Sequence, residues 1–119
     1  MLLDSFFEII HIEPFTPNHY GVLVRLMPEH QVYAGHFPGN HIVPGVCSMH
    51  MITECAGKIL GHPVMMLQAS VVKFLGIIQP SIDTQLEMDI LINDEMTLKA
   101  TIKSGERIVM SCRLKLRKM

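Results

Sequence analysis

Apolar and polar positions alternate most cleanly in the last third of the chain. Met96, Leu98, Ala100 and Ile102 alternate with Thr97, Lys99, Thr101 and Lys103, the period-two pattern of a strand with one wet face. After Ser104 and Gly105, the residues Ile108, Met110, Cys112, Leu114 and Leu116 alternate with Val109, Ser111, Arg113, Lys115 and Arg117, which predicts the second arm of a hairpin. Leu86, Met88, Ile90 and Ile92 share one parity ahead of a turn at Asn93 to Glu95, so these three strands make an antiparallel meander. Segments 5–12, 21–27 and 64–74 read as three more strands. The period changes once, from about Pro44 to Leu60. There Ser48, Met49, Met51, Ile52, Cys55, Ala56, Ile59 and Leu60 gather on one side of a helix, and His50, Thr53, Glu54, Gly57 and Lys58 on the other. Pro44 suits the first turn because its missing N–H is not needed there, and Gly61 followed by Pro63 stops the helix. The expected class is α+β: a six-stranded antiparallel sheet around one helix, in a single domain spanning residues 1–119.

Composition adds an oligomer and removes two classes of partner. Apolar residues make up 49% of the 119 positions, and mean hydropathy is +0.32, high for an isolated chain in water; part of the apolar surface is expected to lie between subunits. A formal net charge of −1 and the lack of a basic stripe with interleaved aromatics argue against nucleic acid. The apolar N-terminal run carries Asp4, Glu8 and Glu13 and no basic leader, so neither a signal peptide nor a membrane span is expected, and the chain reads as cytoplasmic. Cys47, Cys55 and Cys112 have no metal-type spacing and are odd in number, which fits core thiols.

The chemistry concentrates in residues 34–45, AGHFPGNHIVPG, directly ahead of the helix. Gly35, Pro38 and Gly39 constrain His36 in a bend. The amides of Gly45 and Val46, in the first helical turn, lack intrahelical partners and point at whatever lies before them. An imidazole base beside an oxyanion site suits proton abstraction next to a carbonyl.

This segment resembles the GHFPGxPxxPGV signature of the 3-hydroxyacyl-[acyl-carrier-protein] dehydratases. GHFPGN at Gly35 to Asn40 is intact, His41 replaces the first proline of the second half, and Ile42 to Val46 matches again. Weaker similarity runs through Cys55 to Gly57 and from Lys73-Phe74 to Pro80. The resemblance implies a hotdog fold, a dimer or higher homo-oligomer, acyl carrier protein bearing an acyl thioester as substrate and partner, and no cofactor or metal. It also implies that His36 takes the C2 proton, that Gly45 donates its amide to the thioester oxygen, and that Val46 and Phe37 contact substrate.

One position departs from that pattern. The family's catalytic Glu or Asp stands fourteen residues after the motif histidine, and here that place is held by His50. Glu54 follows one turn later, within reach of His50 and also of Lys58 in ordinary Glu-to-Lys order. His50 as imidazolium, supported by Glu54, is the candidate donor to the leaving hydroxyl. A different class of reading makes the chain a catalytically weak partner subunit that supplies half of a composite site to a second dehydratase chain. A hotdog thioesterase would need a carboxylate near the helix start, which Ser48 and His50 do not provide. His36, His41, His50 and Glu54 are zinc-type donors, but their spacing matches no metal site. Arg113, Lys115, Arg117 and Lys118 read as a solvated strand face, with docking of an acidic carrier as the sharper alternative.

Overall fold

Six strands and one helix make up the regular structure of residues 2–31, 33 and 41–119, which the computed structural model describes. The strands are β1 (Phe7–Thr16), β2 (His19–Leu26), β3 (Val64–Phe74), β4 (Gln85–Ile92), β5 (Thr97–Ser104) and β6 (Arg107–Lys118); the helix α1 (Gly45–Leu60) lies between β2 and β3. All neighbours pair antiparallel in one sheet of order β1-β2-β4-β5-β6-β3. The inward parity of β4 is the one read from the sequence, with Leu86, Met88, Ile90 and Ile92 all buried. With Leu98, Ala100 and Ile102 they form a surface onto which α1 sets Met51, Ile52, Cys55 and Ala56, and this is the hotdog arrangement.

Two departures from the alternation have local causes. In β6 the pairing slips between Ile102 and Lys103, so that Ile102 faces Met110 and Lys103 faces Ile108. Val109 is the extra residue; it turns inward, and Ile108, expected inside, is exposed. The bulge has a use, because the Val109 carbonyl accepts the amides of Leu75 (2.9 Å) and Gly76 (3.3 Å) and holds the chain leaving β3. β1 runs later than expected, to Thr16, straight through Pro14. As an edge strand it tolerates a residue with no N–H to donate.

At its N-terminus α1 starts one residue after the expected place: Pro44 is the cap, extended at φ −61° and ψ 144°, and Gly45 is the first helical residue. Gly61 ends the helix at φ 81°, a left-handed position that glycine occupies without penalty, and its amide returns to the Gly57 carbonyl. Thr53, placed by its spacing with the polar residues, is instead buried. Its hydroxyl donates to the Met49 carbonyl (2.9 Å), which removes most of the cost of taking it out of water.

The long connection from β3 to β4 is fixed by a buried carboxylate. Asp83 accepts from the Ser104 hydroxyl (2.6 Å), the Gln79 amide (2.8 Å) and the Arg107 guanidinium (2.9 Å), joining this connection to the β5–β6 hairpin. Burial by itself would raise the Asp83 pKa, but these donors outweigh it and hold the carboxyl below its usual value. A depressed carboxylate stabilises the fold above the unfolded-chain pKa of about 3.9, and the contribution is lost as pH falls through the lower folded value. Asp83→Asn should therefore cost roughly 1–3 kcal/mol at neutral pH. Thermal melts from neutral to about pH 3 should show a steeper acid loss in the parent than in the variant.

Candidate active site at the start of the helix

The first turn of α1 has unused donors. The Pro44 carbonyl accepts from Cys47 (3.0 Å) and Ser48 (3.2 Å), but the amides of Gly45 and Val46 donate to no described residue. Among the described residues no side chain caps this end and no acidic residue stands in the first turn, so none of them offsets the positive end of the helix dipole. Gly45 borders a cavity of about 320 Å³ between the helix start and the chain leaving β3. Ile42, Val43, Ile77, Ile78 and Met110 are among its walls, and the Val43 amide bonds the Ile78 carbonyl at 2.9 Å to hold the two sides together. The Phe74 ring lies against Gly45: a Cβ added there would come within 2.6 Å of it. Glycine at the helix start thus lets the aromatic ring approach the backbone.

The other candidates are spread along the chain. Val46 is 54% exposed beside Gly45. His50 is exposed on the outer side of α1 and makes no hydrogen bond or ion pair with a described residue. The expected contacts of Glu54 with His50 and Lys58 are not made. Its carboxylate instead accepts the backbone amides of Leu2 (2.9 Å) and Leu3 (3.1 Å), two fixed donors that prevail over mobile side chains. Glu54 borders a different cavity, of about 340 Å³, with Lys58, His62 and Pro63. Within one chain, then, Gly45 and Val46 stand together while Glu54 is elsewhere. His36 and Phe37 lie outside the described residues.

His41, the departure inside the motif, stacks on the buried Tyr33 ring at 5.4 Å, and Phe6 packs against Tyr33 at 5.5 Å. The Tyr33 hydroxyl is buried without a hydrogen-bond partner among the described residues, and burial pushes its pKa up, so it stays protonated. The three cysteines are free and buried; burial raises the thiol of Cys55 to about 12 and that of Cys112 to about 11. Among the described residues no three His, Cys, Asp or Glu side chains are grouped to hold a metal ion, and no helix is long and apolar enough to cross a membrane.

The family model for ApeI-like proteins, described as ApeI dehydratase, matches residues 14–113, a span that includes the motif, the helix and four of the strands entire. The chain belongs to the ApeI-like dehydratase family. Solved structures agree with it in fold. A chain of the dehydratase heterocomplex ApeI:P from Xenorhabdus doucetiae superposes with a TM-score of 0.79 at 21% identity, covering 92% of this chain and 96% of that one. An uncharacterized protein from Erwinia carotovora subsp. atroseptica gives 0.71 at 19% identity, covering 93% of each. A putative thioesterase from Shewanella oneidensis gives 0.56 at 9% identity, covering 97% of this chain and 85% of that one. At such identities the shared feature is the hotdog fold, which by itself does not choose a reaction. No curated protein matches the sequence significantly.

The ApeI-like chain also has site features that its sequence did not advertise. Ser48 was read as one residue of the inward stripe and as lacking the carboxylate a thioesterase needs, yet it borders the cavity beside Gly45. Phe74 read as the end of a strand; it pairs with Met110, next to the Val109 bulge, and its ring lies over Gly45.

Proposed function

We propose that this ApeI-like chain is a subunit of a cytoplasmic, one-domain dehydratase that eliminates water from 3-hydroxyacyl thioesters on acyl carrier protein to give trans-2-enoyl thioesters. The observation that carries this reading is the pair of amides, Gly45 and Val46, with no acceptor among the described residues, the first of them bordering an apolar cavity, in a chain of a dehydratase family. In the proposed reaction the thioester oxygen accepts from the Gly45 amide, which stabilises the enolate-like charge formed when His36 removes the C2 proton. Phe37 and Val46 bound the acyl chain, and His50 protonates the departing C3 hydroxyl. No cofactor enters the scheme. Glu54 acts in it by holding the N-terminal segment against α1.

A second reading, in which the chain supplies half of a composite site to another hotdog subunit, draws on three observations. The family carboxylate position is a histidine, the similar Xenorhabdus chain comes from a dehydratase heterocomplex, and the sheet ends in an apolar edge. That edge is β3, where Leu67 is 55%, Val71 64% and Phe74 57% exposed. Pairing of subunits along β3 would cover these side chains and bring a second helix flank, with its His50, to the interface. Sedimentation at micromolar concentration is expected to show a dimer of this chain, and a monomer would remove the self-assembled site. Turnover of 3-hydroxyacyl-carrier protein, measured alone and with a second dehydratase chain, decides between the readings: activity alone supports the enzyme, activity only in the mixture the partner subunit. Inactivity in both would refute the proposal.

A further inference from the structure

We infer that Ser48 is a substrate-binding residue: its hydroxyl is the second donor, beside the Gly45 amide, to the carbonyl oxygen of an acyl thioester bound in the cavity at the start of α1. The inference rests on the acyl-thioester reading above and assigns a side chain to it.

Ser48 is 2% exposed, yet its hydroxyl makes no hydrogen bond to any described residue; only its backbone amide is used, toward Pro44. A hydroxyl in the interior of a helix ordinarily bonds the carbonyl four residues back, as Thr53 does with Met49 one turn later in this helix. Ser48 leaves that option unused. The other described side chains of the cavity are apolar, with Ile42, Val43, Phe74, Ile77, Ile78 and Met110 among its walls. The Tyr33 hydroxyl is the one side-chain polar atom sealed off without a partner among the described residues, so the unbonded Ser48 oxygen keeps access to the space it borders and is free to donate to a molecule bound there.

The chemistry of the cavity restricts that acceptor. Its volume of about 320 Å³ falls at the small end of ligand sites, and its walls suit an aliphatic chain. Among the described lining residues the one polar side chain is this hydroxyl, and Gly45, whose amide has no described acceptor, borders the same space. No cationic side chain is among the described lining residues, and the Arg107 guanidinium, which reaches the Ile77 carbonyl at the rim, is already paired with Asp83, so a carboxylate or phosphate would find no free counter-charge among them. A neutral carbonyl on an apolar chain fits both the donors and the walls. Two converging donors on one carbonyl oxygen is also the arrangement that polarises it for loss of an adjacent proton.

The test uses the assembled protein, with its partner chain if assembly requires one, and two non-reacting probes of equal length. One is the octanoyl thioester of N-acetylcysteamine; the other is its octyl thioether, which lacks the carbonyl. Ser48→Ala is expected to weaken thioester binding roughly 5–20-fold, the worth of one buried hydrogen bond, and to leave thioether binding unchanged. Because the lost hydroxyl has no partner among the described residues, the melting temperature should stay level or rise, which separates lost binding from lost structure. Ser48→Cys, similar in size with a weak S–H donor, should fall between parent and Ala. Equal thioester binding by parent and Ser48→Ala would overturn the assignment and leave the dehydratase reading standing, as would a loss felt equally by both probes. Failure of the parent to bind the thioester would overturn both.

Discussion

Replacing His36 with alanine should lower dehydration by roughly 10²–10⁴-fold, the usual contribution of a positioned acid or base. Hydrogen at C2 of a thioester is only weakly acidic, and the Gly45 amide lowers the energy of the resulting anion without accepting the proton. Some base must take it, and His36 is the imidazole that the motif sets immediately ahead of the helix. The measurement is kcat on 3-hydroxyacyl-carrier protein, accompanied by a thermal melt so that loss of the base is told apart from loss of the fold. Parent-like turnover with an unchanged melt would make the motif a scaffold and transfer the chemistry to a partner chain.

The second large effect is expected at His50. Hydroxide leaves poorly, so elimination needs a proton donor besides the base. His50 is exposed on α1 with no hydrogen-bond partner among the described residues, so substitution there should change stability by no more than about 0.5 kcal/mol. Loss of activity would therefore report chemistry. His50→Gln should reduce kcat by about 10²-fold or more, whereas His50→Glu should match or exceed the parent by restoring a carboxyl group at that position. Glu54→Gln should act differently: with its two backbone donors left facing a neutral amide, it should loosen the N-terminal segment and lower the melting temperature more than it lowers kcat. Full activity in His50→Gln would show that the donor is another group.

Much of the fold was legible because the strands obey a strict period. Leu86 to Ile92 and Leu98 to Ile102 bury one parity, and the extent of β3 agrees at both ends. What escaped was set by pairing across the sheet. Nothing local to Ile108 or Val109 marks the bulge; it comes from the register between β5 and β6. Pro14 reads as a breaker until its strand is known to be an edge. The helix face was legible except at Thr53, whose bond to Met49 makes a polar residue compatible with the interior. For the site, the motif pointed to the unpaired amides of Gly45 and Val46, which depend on local helix geometry. The partner of Glu54 was not legible, since the Leu2 and Leu3 amides that occupy it are 52 and 51 residues away in sequence.

The most direct test of the central claim is the fate of 3-hydroxyacyl-carrier protein incubated with the assembled protein, followed by intact-mass spectrometry in ordinary and heavy water. Elimination predicts loss of one water with the acyl group still on the carrier, and the reverse hydration in heavy water predicts deuterium at C2. Release of free carrier with no enoyl species would show thioester hydrolysis instead and contradict the dehydratase account.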